Sequence, residues 1–113
     1  MPEASKTRLN ETARCPRKPM RRAARAVYDE GRVIVPCTMT NASRSGLGLQ
    51  MPSHVALPDE LFIIDLTGDV VFEARIARRH GETCGVRFQG AYPLAALPQW
   101  LQFIAAIRRP KPA

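Results

Sequence analysis

Six short strand-like segments, separated by turn residues, constrain the fold of this chain more than any other feature. In one of them Leu47, Leu49 and Met51 alternate with a glycine and a glutamine, which is the period-two pattern of a strand with one buried face. Turn signals such as Thr67-Gly68-Asp69 separate the segments. This spacing predicts a mainly β fold, a small six-stranded antiparallel barrel. The six segments are residues 32–34, 37–40, 47–51, 61–66, 70–78 and 83–88.

The apolar period changes after residue 93. Leu97, Leu101 and Ile104 recur at helical spacing, which predicts a C-terminal α-helix at about residues 95–108 with Pro98 at its first position. The wide apolar face predicts packing against the barrel. The alternative is an amphipathic membrane helix, and it is disfavoured because basic residues cluster only at the end of the segment.

The formal net charge of +7 is unevenly distributed along the 113 residues. Residues 1–26 carry +6, residues 27–88 carry −2 and residues 89–113 carry +3. This pattern predicts a flexible basic N-terminal arm at residues 1–20 and a folded domain at 21–109, with the barrel at about 27–90 and a tail at 110–113. A basic arm on a nearly neutral body favours a local anion site over a broad nucleic-acid surface.

The sequence offers little support for catalysis, metal binding or membrane insertion. It contains no apolar run of about 18 residues and no hydrophobic leader, so we expect a cytoplasmic protein without membrane insertion. Three cysteines without close spacing argue against a zinc site or a disulfide framework, and we expect Cys37 and Cys84 to be small buried hydrophobic residues. No nucleophile and base arrangement is apparent, so we expect neither an enzyme nor a cofactor.

A cluster of arginines precedes the predicted barrel, in the segment that we expect to be its hinge with the arm. It comprises Arg21, Arg22 and Arg25. A planar guanidinium pairs bidentately with phosphate or with the O6/N7 edge of guanine, and it also stacks on aromatic rings. The alternative interpretation is a solvated basic linker, which is what most charge runs are.

A polar turn, residues 41–46, follows the second predicted strand. Asn41 and Ser43 carry short side chains suited to hydrogen bonding, and Gly46 permits a backbone conformation with positive φ. The alternative interpretation is an Asx-type turn between two strands. Fifteen residues separate Arg25 from Asn41, which predicts a short first hairpin.

Taken together, Arg-x-x-x-Arg and Asn-x-Ser-x-x-Gly resemble the two-part signature of PilZ domains, small β-barrels that act as receptors for the bacterial second messenger cyclic di-GMP. The likeness continues through Leu47-Gly48-Leu49, Leu57-Pro58-Asp59-Glu60 and Gly85-Val86-Arg87-Phe88, and it covers roughly residues 21–88. The resemblance implies a PilZ-like barrel that binds cyclic di-GMP and relays the signal to a protein effector.

The resemblance also implies a role for each residue of the two motifs. Arg21 and Arg25, with Arg22 beside them, would close over the ligand and pair with guanine or phosphate. Asn41 and Ser43 would hydrogen-bond the second guanine, and Gly46 would let the backbone approach. Arg78 or Arg79 is a candidate for an extra phosphate contact, with solvated surface charge as the alternative.

Two other functions remain open from the sequence. One is a degenerate PilZ-like interaction module that does not bind cyclic di-GMP. The other is a small barrel that binds RNA or DNA through its basic arm, which is disfavoured because aromatic residues make up only 6% of the chain and form no stacking row.

Overall fold

The structure is a computed structural model that describes residues 18–108. In this range six antiparallel strands close into a barrel in the order β1-β2-β3-β6-β5-β4, with β4 pairing back onto β1. The prediction of a mainly β, six-stranded antiparallel barrel followed by a C-terminal helix is confirmed. The strands are β1 (Lys18–Tyr28), β2 (Val33–Ala42), β3 (Gly46–Gln50), β4 (Glu60–Asp65), β5 (Val70–His80) and β6 (Thr83–Pro93).

The first strand is where the structure departs most from the sequence prediction. Residues 18–20 were expected in a flexible arm and residues 21–27 in a hinge, and both expectations are wrong. Strand β1 pairs with β2 along its length and with β4 from Ala24 to Val27. The inward positions of β1 are filled by small residues, Ala24 and Ala26, so its apolar face is inconspicuous beside the arginines. The rest of the predicted arm, residues 1–17, and the predicted tail, 110–113, lie outside the described residues.

Strand β2 joins two segments that were predicted as separate strands, residues 32–34 and 37–40. Pro36 does not interrupt it, because β3 pairs with β2 only from Thr38 onward and leaves that side of Pro36 open. The first hairpin is therefore long, not short as predicted. Its turn places Asp29, Glu30 and Gly31 at positive φ.

Inward side chains of all six strands fill the barrel. Met39, Leu47, Leu49 and Ile63 are among the largest fully buried residues. Two shifts in register interrupt the alternation near the end of β2. Two residues of β1 lie opposite Thr40, and Thr40 is itself an extra residue relative to β3. Such bulges bend a strand and re-aim its side chains, and both occur beside the predicted polar turn.

The C-terminal segment is less regular than the single helix predicted for residues 95–108. Two 3-10 turns, Leu94–Ala96 and Gln99–Leu101, precede the helix α1 (Gln102–Arg108). Leu97 is extended, with φ −75° and ψ 139°, because a residue that precedes proline is disfavoured in the helical region. Pro98 is the N-cap of the second turn, so its predicted place inside a helix is wrong.

The helix packs against the outer face of the barrel, over β1, β4 and β5. Leu101 and Ile104 are fully buried in a second cluster with Val27, Ile64 and Val71. Burial of each such side chain stabilises the folded state by on the order of 2 kcal/mol. The expected packing of the helix on the barrel is confirmed by this cluster. Within residues 18–108 no helix is long and apolar enough to cross a membrane.

Candidate functional site

Arg21 lies in the bulge of β1 and is exposed. Pro19 is the register partner of Asn41, and the two following residues, Met20 and Arg21, oppose Thr40. In the described part of the chain Arg21 has no hydrogen bond or ion pair. Strand pairing therefore brings Arg21 beside the end of β2 that carries Asn41, an arrangement that the hypothesis of a cyclic di-GMP site needs.

Arg22 is engaged elsewhere. Its Nη1 lies 2.8 Å from Oδ2 of Asp65, whose side chain is only 5% exposed. The other carboxylate oxygen of Asp65 accepts hydrogen bonds from the backbone N–H groups of Thr67 and Gly68, each at 3.0 Å. Arg22 thus balances a buried carboxylate at the β4–β5 hairpin and does not point at the polar turn.

Arg25 faces the C-terminal helix. Its Nη1 donates to the backbone carbonyl of Ile107 at 3.1 Å. In register it lies opposite Pro36, five residues along β2 from Asn41, or roughly 16 Å at the rise of a strand. The structure therefore places Arg21 near Asn41, but it does not bring Arg22 or Arg25 there.

Asn41 is the penultimate residue of β2 rather than the start of a loop, and only residues 43–45 connect β2 to β3. Its amide lies over Gly48 of β3, with Nδ2 2.4 Å from the position that a Cβ of Gly48 would occupy. The amide thus occupies space that any side chain at position 48 would fill. This close approach fixes Asn41 on the outer face of the barrel.

Ser43 and Ser45 stabilise the connecting turn between β2 and β3. The backbone N–H of Ser43 donates to the carbonyl of Gly46 at 3.0 Å, and the Ser43 hydroxyl accepts from the N–H of Ser45 at 3.2 Å. The hydroxyl of Ser43 therefore has a local structural role, as the alternative interpretation of a polar turn expects.

Gly46 is a glycine for a reason that the sequence did not suggest. Its φ is not positive; among the described glycines only Gly31 and Gly81 have positive φ. A Cβ at position 46 would lie 2.0 Å from the carbonyl oxygen of Val86. Close approach of β3 and β6 therefore excludes a side chain there, and the conformational reason expected for Gly46 is wrong.

A shallow cleft of about 170 Å³ opens beside Asn41 on the outer face of β2, β3, β6 and β5. Its floor includes Gly48 and Gly85, which are register partners, and Arg78 borders it on the side away from Asn41. The period-two pattern of residues 47–51 indicates an outward Gly48, but only the strand register shows that Gly85 is adjacent to it. Lining residues are Thr40, Asn41, Gly48, Leu49, Arg78, Thr83, Cys84 and Gly85.

A second, more open cleft of about 440 Å³ lies at the other end of β2 and β3. Among its lining residues Glu82 is the single charged group, and the others include Pro36, Gln50 and Pro52. A carboxylate repels anions, so this cleft is poorly suited to a phosphate-bearing ligand.

The two described cysteines are free and buried, as expected from the sequence. Burial raises the pKa of Cys37 to about 12, with a further contribution from nearby Cys84. Burial also raises the pKa of Cys84, opposed by the charge of Arg79. Both thiols are therefore neutral at ordinary pH and ill-suited to nucleophilic chemistry. In the described range, no group of three or more His, Cys, Asp or Glu residues is placed to hold a metal ion.

Comparison with known proteins agrees with this architecture. The sequence model of the PilZ domain family matches residues 11–96, which include the whole barrel and the first 3-10 turn but not α1. A search among curated proteins finds no significant match. The match spans most of the chain and includes both motifs, the first on β1 and the second from the end of β2 to the start of β3. The chain therefore belongs to the PilZ domain family.

Proposed function

We propose that this PilZ domain is a cyclic di-GMP receptor that binds its ligand on the outer face of the barrel, beside the β2–β3 turn. The observation that carries the proposal is the pairing of β1 with β2, which puts Arg21 in a bulge next to the strand end that bears Asn41. Membership of the PilZ family supports the proposal, because the family includes receptors of this messenger and the two-part signature is present here in order.

The chemistry of these side chains suits the ligand. Cyclic di-GMP presents two phosphates and two guanines, and the exposed guanidinium of Arg21 can pair with either group through two parallel hydrogen bonds. The amide of Asn41 carries an acceptor for guanine N–H groups. Ser43 and Gly46 shape the adjacent turn, and their proposed role is to hold its backbone within reach of the ligand.

In this mechanism Arg22 and Arg25 can contact the ligand only if each gives up its present hydrogen-bond partner. Arg22 would leave Asp65, and Arg25 would leave the carbonyl of Ile107. The second exchange would release the end of α1, so ligand binding at Arg25 would change the surface that the helix presents. We propose that this change is passed to a protein effector. The exposed side chains of Trp100 and Phe103 on this surface are of the kind that anchor protein interfaces.

The same two contacts favour a second candidate function. If Arg22 and Arg25 serve only the fold, the motif retains one available arginine, and the domain is a degenerate interaction module without affinity for the messenger. Binding to RNA or DNA is the least favoured candidate, because the described face beside Asn41 has no aromatic stacking row.

Isothermal titration of the purified full chain with cyclic di-GMP, at physiological salt, tests the proposal. GTP and cyclic GMP serve as ligand controls. We expect micromolar or tighter binding that is lost in Arg21→Ala. Arg32→Ala is the matched control, because Arg32 is an exposed arginine at the opposite end of β1 and pairs only with Asp29 and Glu30 among described residues.

Three outcomes separate the candidates. Binding that Arg21→Ala abolishes and Arg32→Ala preserves supports the receptor. Absence of heat and of any shift in melting temperature contradicts the receptor and favours the degenerate module. Binding to oligonucleotides that falls steeply with salt and responds equally to both substitutions would indicate the nucleic-acid alternative.

A further inference from the structure

Four aromatic side chains form a continuous cluster on the surface where the C-terminal segment crosses the barrel. The ring of Trp100 contacts those of Phe62 and Tyr92, with centroids 6.0 and 5.8 Å apart. Phe62 also contacts Phe103, at 6.3 Å. We call these four residues the aromatic cluster. Strand β4, strand β6, the second 3-10 turn and α1 each contribute one of them.

The packing of the helix does not account for the exposed part of this cluster. Leu101 and Ile104 are fully buried against the barrel, whereas Trp100 is 54% exposed although it contacts two other rings, and Phe103 is 37% exposed. Single exposed apolar residues are ordinary on a protein surface, but a contiguous apolar patch rimmed by polar groups is typical of an interaction site.

Glu73 is fixed at the edge of the aromatic cluster. It is the register partner of Phe62, and its Oε1 accepts a hydrogen bond from the Tyr92 hydroxyl at 3.0 Å. Both polar atoms lie over Gly90, where a Cβ would be 2.9 Å from the Tyr92 oxygen and 3.1 Å from Oε1 of Glu73. The carboxylate is therefore held beside the two rings that contact Trp100.

The negative charge of Glu73 is not neutralised by an ion pair among residues 18–108. Its hydrogen-bond partner there is the neutral hydroxyl of Tyr92. Arg75, two residues along β5, pairs instead with Glu60 at 3.6 Å. Glu73 can therefore accept a cationic group from outside the described part of the chain.

The other end of the aromatic cluster borders an acidic turn. Cδ2 of Phe103 lies 3.1 Å from the place of a Gly31 Cβ, in the turn between β1 and β2. Asp29 and Glu30 precede that glycine, and both are near one cation, Arg32, at 3.4 and 3.8 Å. Carboxylates thus outnumber their cationic partners at both ends of the aromatic cluster.

We propose that the aromatic cluster and Glu73 form a docking surface for an arginine-bearing segment of the effector protein. The guanidinium of that segment pairs with the Glu73 carboxylate and lies against the Trp100 ring, while an adjacent apolar side chain covers Phe103. The inference names the chemistry of the partner in the relay described above, and for that relay it rests on the proposed function.

Arginine suits this surface better than the alternatives. A planar guanidinium matches a carboxylate through two parallel hydrogen bonds and also stacks on aromatic rings, whereas the lysine ammonium is a compact, strongly hydrated charge. Negative charge at both ends of the aromatic cluster repels the phosphates of lipids and nucleic acids. Tryptophan and arginine are also among the residues that contribute most to binding at protein interfaces.

Titration of the full chain with labelled peptides of leucine and alanine tests the proposal. Matched versions carry arginine, lysine or glutamate at the same positions. Anisotropy of the label reports binding, and the fluorescence of Trp100, the single tryptophan, reports its place. At physiological salt we expect the arginine peptide to bind and to shift Trp100 emission to shorter wavelength. The lysine peptide should bind about tenfold more weakly, and the glutamate peptide should not bind.

Variants test the two principal side chains. Trp100→Ala removes the exposed ring, and Glu73→Gln removes the charge but keeps an oxygen for the Tyr92 hydroxyl. Each should weaken the arginine peptide about 10-fold or more, as measured by anisotropy, with melting temperatures confirming the fold. Glu82→Gln is the matched control, because Glu82 is an exposed carboxylate beyond the opposite end of β5, and it should change affinity less than about threefold.

Several outcomes would overturn the docking surface. These are a wild type that does not bind the arginine peptide, binding that neither Trp100→Ala nor Glu73→Gln weakens, and equal binding of the glutamate peptide. A shift of Trp100 emission with phosphatidylglycerol vesicles would identify a membrane as the occupant instead. A dimer in sedimentation that Trp100→Ala dissociates would identify a second copy of the chain.

Cyclic di-GMP titration of the same proteins separates this inference from the proposed function. Trp100 and Glu73 lie outside the two-part motif, so both variants should bind the messenger as wild type does. If wild type binds cyclic di-GMP but not the arginine peptide, the docking surface is wrong and the receptor stands. If it binds the peptide but not cyclic di-GMP, the receptor is wrong and the docking surface stands without control by the messenger.

Discussion

Arg22 and Asp65 join the first strand of the barrel to the end of the fourth through a 2.8 Å ion pair. The contact forms because β1 and β4 close the barrel, with Ala24 and Asp65 in register. Asp65 is almost completely buried and also accepts two backbone hydrogen bonds in the β4–β5 turn. A residue inside the Arg-x-x-x-Arg segment is therefore part of the closure of the fold.

Substitution of Asp65 should separate these two roles. Asp65→Asn keeps an oxygen for the turn but loses the ion pair, and we expect a loss of about 1–2 kcal/mol in the free energy of unfolding. Asp65→Ala loses both and should cost about 3 kcal/mol or more. Urea denaturation measures both values. A double-mutant cycle with Arg22→Ala gives the pair energy, and a coupling near zero would contradict the structural role of Arg22.

Arg25 stabilises the end of the C-terminal helix. The last carbonyls of a helix lack partners within it, and Arg25 supplies a donor to that of Ile107. We expect Arg25→Ala to cost about 1 kcal/mol and to increase amide hydrogen exchange in α1 more than in β3. The fluorescence of Trp100, the single tryptophan, should change as well. Equal exchange in α1 of wild type and variant would show that the contact does not hold the helix.

The strands that the sequence predicted well have large apolar residues on one face. Strands β3 and β6 present leucine, valine or phenylalanine at alternate positions, so period two is visible, and β4 contains a continuous apolar run at residues 61–64. Strand β1 has alanines at its buried positions 24 and 26 and arginines between and before them. Small side chains fit the crowded interior of the barrel but give a weak apolar signal in the sequence. This is why β1 was predicted as part of an arm and a hinge.

The contacts of the site depend on register, which local sequence patterns do not specify. Arg22 and Asp65 are 43 residues apart, and Arg25 and Ile107 are 82 apart. Motif order placed Arg21 and Asn41 together correctly. The pairing of Gly48 with Gly85, by contrast, follows from how β3 and β6 align, and a shift by one residue would move both glycines to the other face.

Substitution by alanine should destabilise the fold strongly at Gly46 and hardly at all at Gly85. A Cβ at position 46 would lie 2.0 Å from a backbone oxygen of β6, so Gly46→Ala must separate two strands and should cost on the order of 3 kcal/mol. A Cβ at position 85 makes ordinary contacts, and Gly85→Ala should change the free energy of unfolding by less than about 0.5 kcal/mol. Thermal and urea unfolding of the two variants check this difference. Similar stabilities would contradict the close approach of β3 and β6 at Gly46.

The buried thiols should make the protein less stable in alkali. Burial raises the pKa of Cys37 to about 12, whereas a thiol in the unfolded chain ionises near pH 8.5 to 9. The folded state therefore keeps a proton that the unfolded state releases. The stability contributed by the neutral thiol is fully present below pH 8.5 and falls as the pH rises toward 12, by at most about 1.4 kcal/mol per pH unit. Urea denaturation from pH 7 to 10.5 should show this fall in wild type and a smaller one in Cys37→Ala. An identical pH dependence in both proteins would show that Cys37 ionises in the folded state as readily as in the unfolded chain.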